Sequence, residues 1–159
     1  MNGGSPDDRA TSGVTIPPPL FYLAGFGAGI ALELFFPIDR PPLAVTIVGA
    51  VIGVGLWLAL DGIAMLSFRR AGTSMVPLNP TTALVTSGSY RFTRNPMYLG
   101  MAFLYGAFAL AFGLIWALIV LPLVLAAVDR LVIAREEPYL EARFGDEYRD
   151  YKRRVRRWL

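Results

Sequence analysis

From Asn95 to Val128 the chain runs for 34 residues without a charged side chain. As one helix that run would extend about 51 Å at about 1.5 Å per residue, well past a hydrocarbon core of about 30 Å. Two short spans turning near Phe112-Gly113 fit a bilayer, and Pro122 falls where it would kink the second. Two earlier segments read the same way: Leu20 to Pro37, which follows Pro17, Pro18 and Pro19 and carries Glu33 near one end, and Leu43 to about Phe68, which contains Asp61. Composition agrees, because 55% of the 159 residues are hydrophobic and only 17% charged, with a mean hydropathy of +0.50. That is more apolar than an ordinary soluble domain, where about 45–50% apolar and about 25% charged are usual. With no Cys and no His, disulfides, thiol nucleophiles, a His-dependent triad and the usual zinc sites are excluded, and no metal centre is expected.

The expected fold is therefore all-α: a polytopic membrane protein of four transmembrane helices, the last two a helical hairpin, followed by a cytoplasmic interfacial C-terminal helix. It divides into a disordered lead-in (1–19), the first two spans (20–68), and a core of loop, hairpin and C-terminal helix (69–159). Residues 1–19 are polar and lack the apolar stretch of a signal peptide. Arg69, Arg70, Arg91, Arg94, Arg130 and Arg135 flank one side of the spans and Arg40 alone the other. The positive-inside rule then puts both termini in the cytoplasm, at the inner membrane if the source is bacterial. Gly25, Gly27 and Gly29 lie within a span and suit close helix packing better than nucleotide binding.

Leu140, Phe144, Tyr148, Tyr151 and Val155 recur at helical spacing and make one apolar-aromatic face. A helix with that face lies on the membrane surface or caps the bundle, and Gly145 suggests a bend in it. Residues 152–157 supply five of the chain's fifteen basic residues, and without them the formal charge of +3 would be negative. Anionic lipid head groups, rather than nucleic acid, are the expected partner of this tail.

The segment Thr86 to Gly100 holds the densest chemistry. Asn95 before Pro96 reads as the N-cap and first residue of the third span. The exposed N–H groups there, with Arg91 and Arg94, would suit an anion. Tyr90 and Tyr98 bring aromatic rings that suit a base or a cation; the same residue types also serve as interfacial anchors. Arg135-Glu136-Glu137, just after the fourth span, would return to the same membrane face, where the acids either meet Arg94 or favour a helix dipole. Glu33 and Asp61 are default functional candidates because charge within a span is costly.

The stretch from Ser87 to Gly100, followed after the hairpin by Glu136-Glu-Pro-Tyr-Leu140 and by Phe144-Gly-Asp-Glu-Tyr-Arg-Asp-Tyr151, resembles the integral-membrane methyltransferases. These comprise isoprenylcysteine carboxyl methyltransferase and its phospholipid N-methyltransferase relatives. The resemblance covers roughly residues 72–158. It implies S-adenosylmethionine, leaving as S-adenosylhomocysteine, bound at the cytoplasmic ends of the last two spans. Leu84, Val85, Gly88 and Tyr90 would edge the adenosine pocket; Asn95, Tyr98 and Gly100 stand in the Arg-His/Asn-Pro-x-Tyr motif; Glu136 and Glu137 form the paired-Glu motif. Arg94, Arg135 and Glu136 are the candidate catalytic residues, with Arg94 orienting an acidic substrate group. Asn95 stands where the eukaryotic carboxyl methyltransferases have His, and it can cap a helix but cannot titrate. The favoured acceptor is a lipophilic carboxylate of isoprenylcysteine type. A phospholipid amine needing Glu136, Glu137 or a Tyr as base is the alternative, and a non-catalytic assembly or lipid-binding protein is the reading from another class. The oligomeric state stays open.

Overall fold

A computed structural model describes residues 16–72 and 83–159, and among them every regular element is helical. Helix α1 is Pro18–Phe35, α2 Leu43–Ala71, α3 Pro96–Phe112, α4 Ile115–Val128, α5 Ala134–Phe144 and α6 Asp146–Arg154. A 3₁₀ turn, Gly88–Arg91, precedes α3, and a π-helical turn, Asp129–Ile133, carries α4 into α5 without a break. The expected disordered lead-in falls outside the described residues except for 16–19, and there α1 has already begun at Pro18. Proline suits that first position because it has no N–H to leave unpaired.

Among the described residues, three helices are long and apolar enough to cross a bilayer: Pro18–Phe35, Leu43–Ala71 and the continuous Ile115–Phe144. Helix α3 is also apolar but has only 17 residues, about 26 Å of helix. It ends at the turn expected from the sequence, where Gly113 adopts φ +67 against the aliphatic stem of Arg40. Side chains such as Leu43, Val51 and Leu123 are 66–73% exposed. An apolar surface this extensive marks a membrane-facing wall.

Helix α1 packs along α4, and α2 along α3. Small residues set the approach: a Cβ at Gly29 would lie 2.5 Å from the Ala117 Cα, and one at Gly53 2.9 Å from the Phe103 carbonyl. Gly25 meets Val124, whereas Gly27 faces open space, so two of the three glycines of α1 serve packing. The core is closed by Tyr105, whose hydroxyl donates to the Ala117 carbonyl at 3.0 Å, and by Tyr22, which donates to the Tyr98 carbonyl at 2.8 Å.

Glu33, a functional candidate by its place in a span, has a structural task here. Its Oε1 accepts from the Ile38 N–H at 2.9 Å and its Oε2 from the Trp116 N–H at 3.3 Å. A carboxylate at the start of α4 satisfies backbone donors that the helix itself cannot.

Past α4 the helix turns polar. The single C-terminal helix expected from periodicity is two: α5 stops at Phe144, and Gly145, at φ 54 and ψ −126, redirects the chain into α6. Within the expected apolar-aromatic face, Tyr148 and Tyr151 are buried. The Tyr151 hydroxyl donates to the Tyr90 carbonyl at 2.7 Å, so α6 folds back over the loop that precedes α3.

Candidate functional site

The loop before α3 is held from two directions. On the α2 side, Gly88 at φ +64 sits against Ser67 and Ile63, the Ser89 hydroxyl donates to the Leu60 carbonyl at 3.0 Å, and the Tyr90 ring meets Phe68 edge-on at 5.6 Å. On the other side, segment 155–159 straps the loop down. The Arg156 carbonyl accepts the Arg94 N–H at 3.0 Å, and the Arg157 carbonyl accepts both the Thr93 hydroxyl at 3.1 Å and the Asn95 side-chain amide at 2.9 Å. Asn95 occupies the N-cap position of α3 but its side chain makes no cap bond. The amide N–H is directed to the strap carbonyl instead, a donor role that a carboxylate could not fill.

A cavity of about 300 Å³ lies between this loop, α3, α5 and α6. Of the residues expected at a cofactor site, Leu84, Val85, Tyr90, Arg94, Asn95, Tyr98, Glu136 and Glu137 line it. Gly88, Gly100 and Arg135 do not: Gly88 abuts α2 and Gly100 abuts Asp61, while Arg135 is exposed. The cavity also takes walls that motif reading passed over: Phe68, Met97 and Met101 on its apolar side and Tyr139, Tyr148 and Tyr151 from α5 and α6. The periodicity of Tyr148 and Tyr151 was the available signal for the last two.

The adjacent carboxylates sit in opposite electrical settings. Glu137 is 8% exposed and compensated twice, by Arg94 Nη2 at 2.8 Å and by Arg157 Nη2 at 2.6 Å. Glu136 has no ion pair among the described residues; its Oε1 accepts the Tyr98 hydroxyl at 2.8 Å. Arg94 in turn is 9% exposed, and its Nε and Nη1 have no partner among the described residues. The Tyr139 hydroxyl is likewise buried and unpartnered. A cation is therefore suited to Glu136 beside the tyrosine rings, an anion to the free N–H groups of Arg94, and an apolar body to Met97, Met101 and Phe68.

Burial pushes the Tyr148 phenol up to about 12, and burial also raises Tyr90 and Tyr151. Unfolded, these phenols titrate near 10.0. Their contribution to stability is complete below that pH and is lost as pH rises through the folded values. The thermal midpoint in detergent is thus expected to fall steeply above about pH 10, and less steeply in Tyr148→Phe; identical slopes would show that Tyr148 does not drive the loss.

Asp61, inside α2, packs its carboxyl against Gly100. A Cβ added at Gly100 would lie 2.6 Å from Oδ2 and 2.7 Å from Oδ1, and Oδ1 has no hydrogen-bond partner among the described residues. Gly100→Ala is expected to cost about 1–3 kcal/mol of stability by overpacking, with Asp61→Ala in the same chain recovering most of it. Thermal unfolding of the single and double variants measures this, and a double variant no better than Gly100→Ala would place the strain elsewhere.

Comparison with known proteins adds to this geometry. The chain is 44% identical over 63 residues to an uncharacterised protein of Haemophilus influenzae, covering 40% of this chain and 100% of that one. No solved structure matches. The sequence profile of a family described as phospholipid methyltransferase matches residues 43–147, a stretch that holds α2, the 3₁₀ turn, the hairpin and both carboxylates of the cavity.

Proposed function

The chain belongs to the phospholipid methyltransferase family of membrane methyltransferases, and on that premise we propose that it uses S-adenosylmethionine to methylate a lipophilic acceptor at the membrane interface. The acceptor in this reading presents an anionic group to the donor, as an isoprenylcysteine does, whose carboxylate oxygen takes the methyl group. One observation carries the proposal: Arg94 lines the cavity with two guanidinium nitrogens, Nε and Nη1, unpartnered among the described residues, donors enough for the carboxylate of the cofactor and an anionic group of the acceptor together. A second reading, a phospholipid amine of phosphatidylethanolamine type, is favoured by the family's description and by Glu136, which faces no cation among the described residues.

The residues fit such a cofactor. A carboxylate free of ion pairs and a guanidinium with spare donors share one cavity, as a donor that carries an α-ammonium and an α-carboxylate side by side, with a sulfonium nearby, requires. When bound, S-adenosylmethionine supplies an electrophilic methyl group on a cationic sulfur. The protein's task is then alignment and exclusion of water. Tyr98 fixes the Glu136 carboxylate through its hydroxyl, Glu137 fixes one edge of Arg94, and buried Tyr148 and Tyr151 roof the cavity. Pro18, Pro19 and Phe68 give the cavity an apolar side along which a lipid chain can lie.

In this reading α3 also crosses the bilayer, as the third of four spans, both termini are cytoplasmic, and α5 and α6 rest at that interface. The exposed Arg154 and Arg156 remain for anionic head groups, at about 1 kcal/mol per basic residue near the surface. Arg157 is engaged internally, while Lys152 and Arg153 pair with Glu141 and Asp150. Calorimetry with S-adenosylhomocysteine tests the class: a folded protein that fails to bind it is not a methyltransferase of this kind. Labelled-methyl transfer to prenylcysteine analogues against phosphatidylethanolamine then separates the acceptors.

A further inference from the structure

Four charged groups form a continuous relay at the edge of the cavity: Asp129 on the π turn, Arg157 on the strap, Glu137 on α5 and Arg94 before α3. Arg157 uses all three guanidinium nitrogens. Its Nη1 meets Asp129 Oδ1 and Oδ2 at 3.2 and 3.0 Å, and its Nε and Nη2 meet Glu137 at 3.0 and 2.6 Å. Glu137 Oε1 also receives Arg94 Nη2 at 2.8 Å. The Trp158 indole N–H donates to Asp129 at 3.0 Å, pinning the strap at its far side. Two acids and two bases make the set neutral.

Only a planar fork spans two carboxylates in this way; a lysine offers a point charge. Were the Arg157 charge removed, Glu137, at 8% exposure, would be left to Arg94 alone. The strongest geometry between them is bidentate, and a second N–H of Arg94 would then turn to Glu137. The N–H groups at stake are those that now have no partner among the described residues, on Nε and Nη1.

We propose that Arg157 is a positioning residue: by neutralising Glu137 it keeps Nε and Nη1 of Arg94 available to an anionic group of the ligand in the cavity. The inference rests on the methyltransferase reading only for the identity of that ligand. It also gives segment 155–159 a role at the site, since the guanidinium that balances the relay and the carbonyls that hold Thr93 and Asn95 belong to the same few residues.

The test uses the full chain in detergent and has two arms. The first needs no ligand: thermal unfolding of Arg94→Gln, Arg157→Gln and the double variant, repeated in Glu137→Gln. Coupling between the two arginines is expected in the parent chain and is expected to vanish in Glu137→Gln, because the effect passes through that carboxylate. Additive effects in the parent chain overturn the proposal. Should Arg157→Gln fail to fold, Arg157→Gln made together with Glu137→Gln, which removes the pair without leaving a buried charge, is compared with Glu137→Gln alone: equal S-adenosylhomocysteine affinity is expected, and a further loss of about tenfold overturns the proposal. The second arm is S-adenosylhomocysteine affinity. Arg157→Gln is expected to weaken it about tenfold, by an amount typical of contacting charged residues, and adding Glu137→Gln is expected to recover part of that loss. Losses that multiply overturn the proposal. A parent chain that shows the coupling but binds no S-adenosylhomocysteine instead removes the methyltransferase reading and leaves the relay standing.

Discussion

Arg94→Ala is expected to lower methyl transfer by at least about a hundredfold, the scale on which preorganised donors act on developing or bound negative charge. The reason is positional. Arg94 is the guanidinium lining the cavity that keeps two nitrogens, Nε and Nη1, unpartnered among the described residues. The fold is expected to survive, because Glu137 keeps its two contacts with Arg157 and is not left as an isolated buried charge. The cost in stability should therefore sit at or below the lower end of the about 3–5 kcal/mol seen when a buried ion pair loses one partner. Steady-state kinetics with the acceptor varied, beside calorimetry with S-adenosylhomocysteine, checks the assignment. A fall in turnover that exceeds the fall in donor affinity puts Arg94 on the acceptor; equal falls put it on the donor.

Glu136→Gln is expected to weaken S-adenosylhomocysteine binding by about 30–100-fold, which corresponds to the loss of a charge-assisted contact to the α-ammonium group, the cation this product keeps, worth about 2–3 kcal/mol. Glutamine keeps the size of the side chain and an oxygen to accept from Tyr98, so the change removes charge and little else. Glu137→Gln is expected to do less to donor affinity, since two guanidinium groups already occupy that carboxylate. Calorimetry on the pair decides which acid meets the ligand. A larger loss in Glu137→Gln would exchange their roles.

The long apolar helices were legible because lipid imposes a simple rule on the residues between charges. Leu20 to Pro37 was expected against an observed Pro18–Phe35, and the turn at Phe112-Gly113 lies where α3 ends. Eight of the residues implicated by the motif resemblance line one cavity, which follows because helix starts and paired acids have fixed local positions. Contacts between distant segments were not legible. Arg157 reads in sequence as one more cation in a basic run, and only the fold of α6 brings it to Asp129 and Glu137. Asp129 gave no sign of being anything but a charge at the end of a span. Gly100 sits in the motif, yet its task is to admit the Asp61 carboxyl, a contact that no spacing rule encodes.

The pairing of helices also sets an order of events during synthesis. Glu33 in α1 caps a backbone N–H that lies 83 residues further along the chain. At about 5–20 residues per second, its partner leaves the ribosome roughly 4–17 s later. Helix α1 must pass that interval in the bilayer with the notch at Gly29 unfilled, while α2 waits only for α3. The nascent chain therefore completes its inner pair before its outer one. A lesion in α1 would be felt late in assembly, after the loop that carries Arg94 and the helix α3 that carries Tyr98 have already met α2.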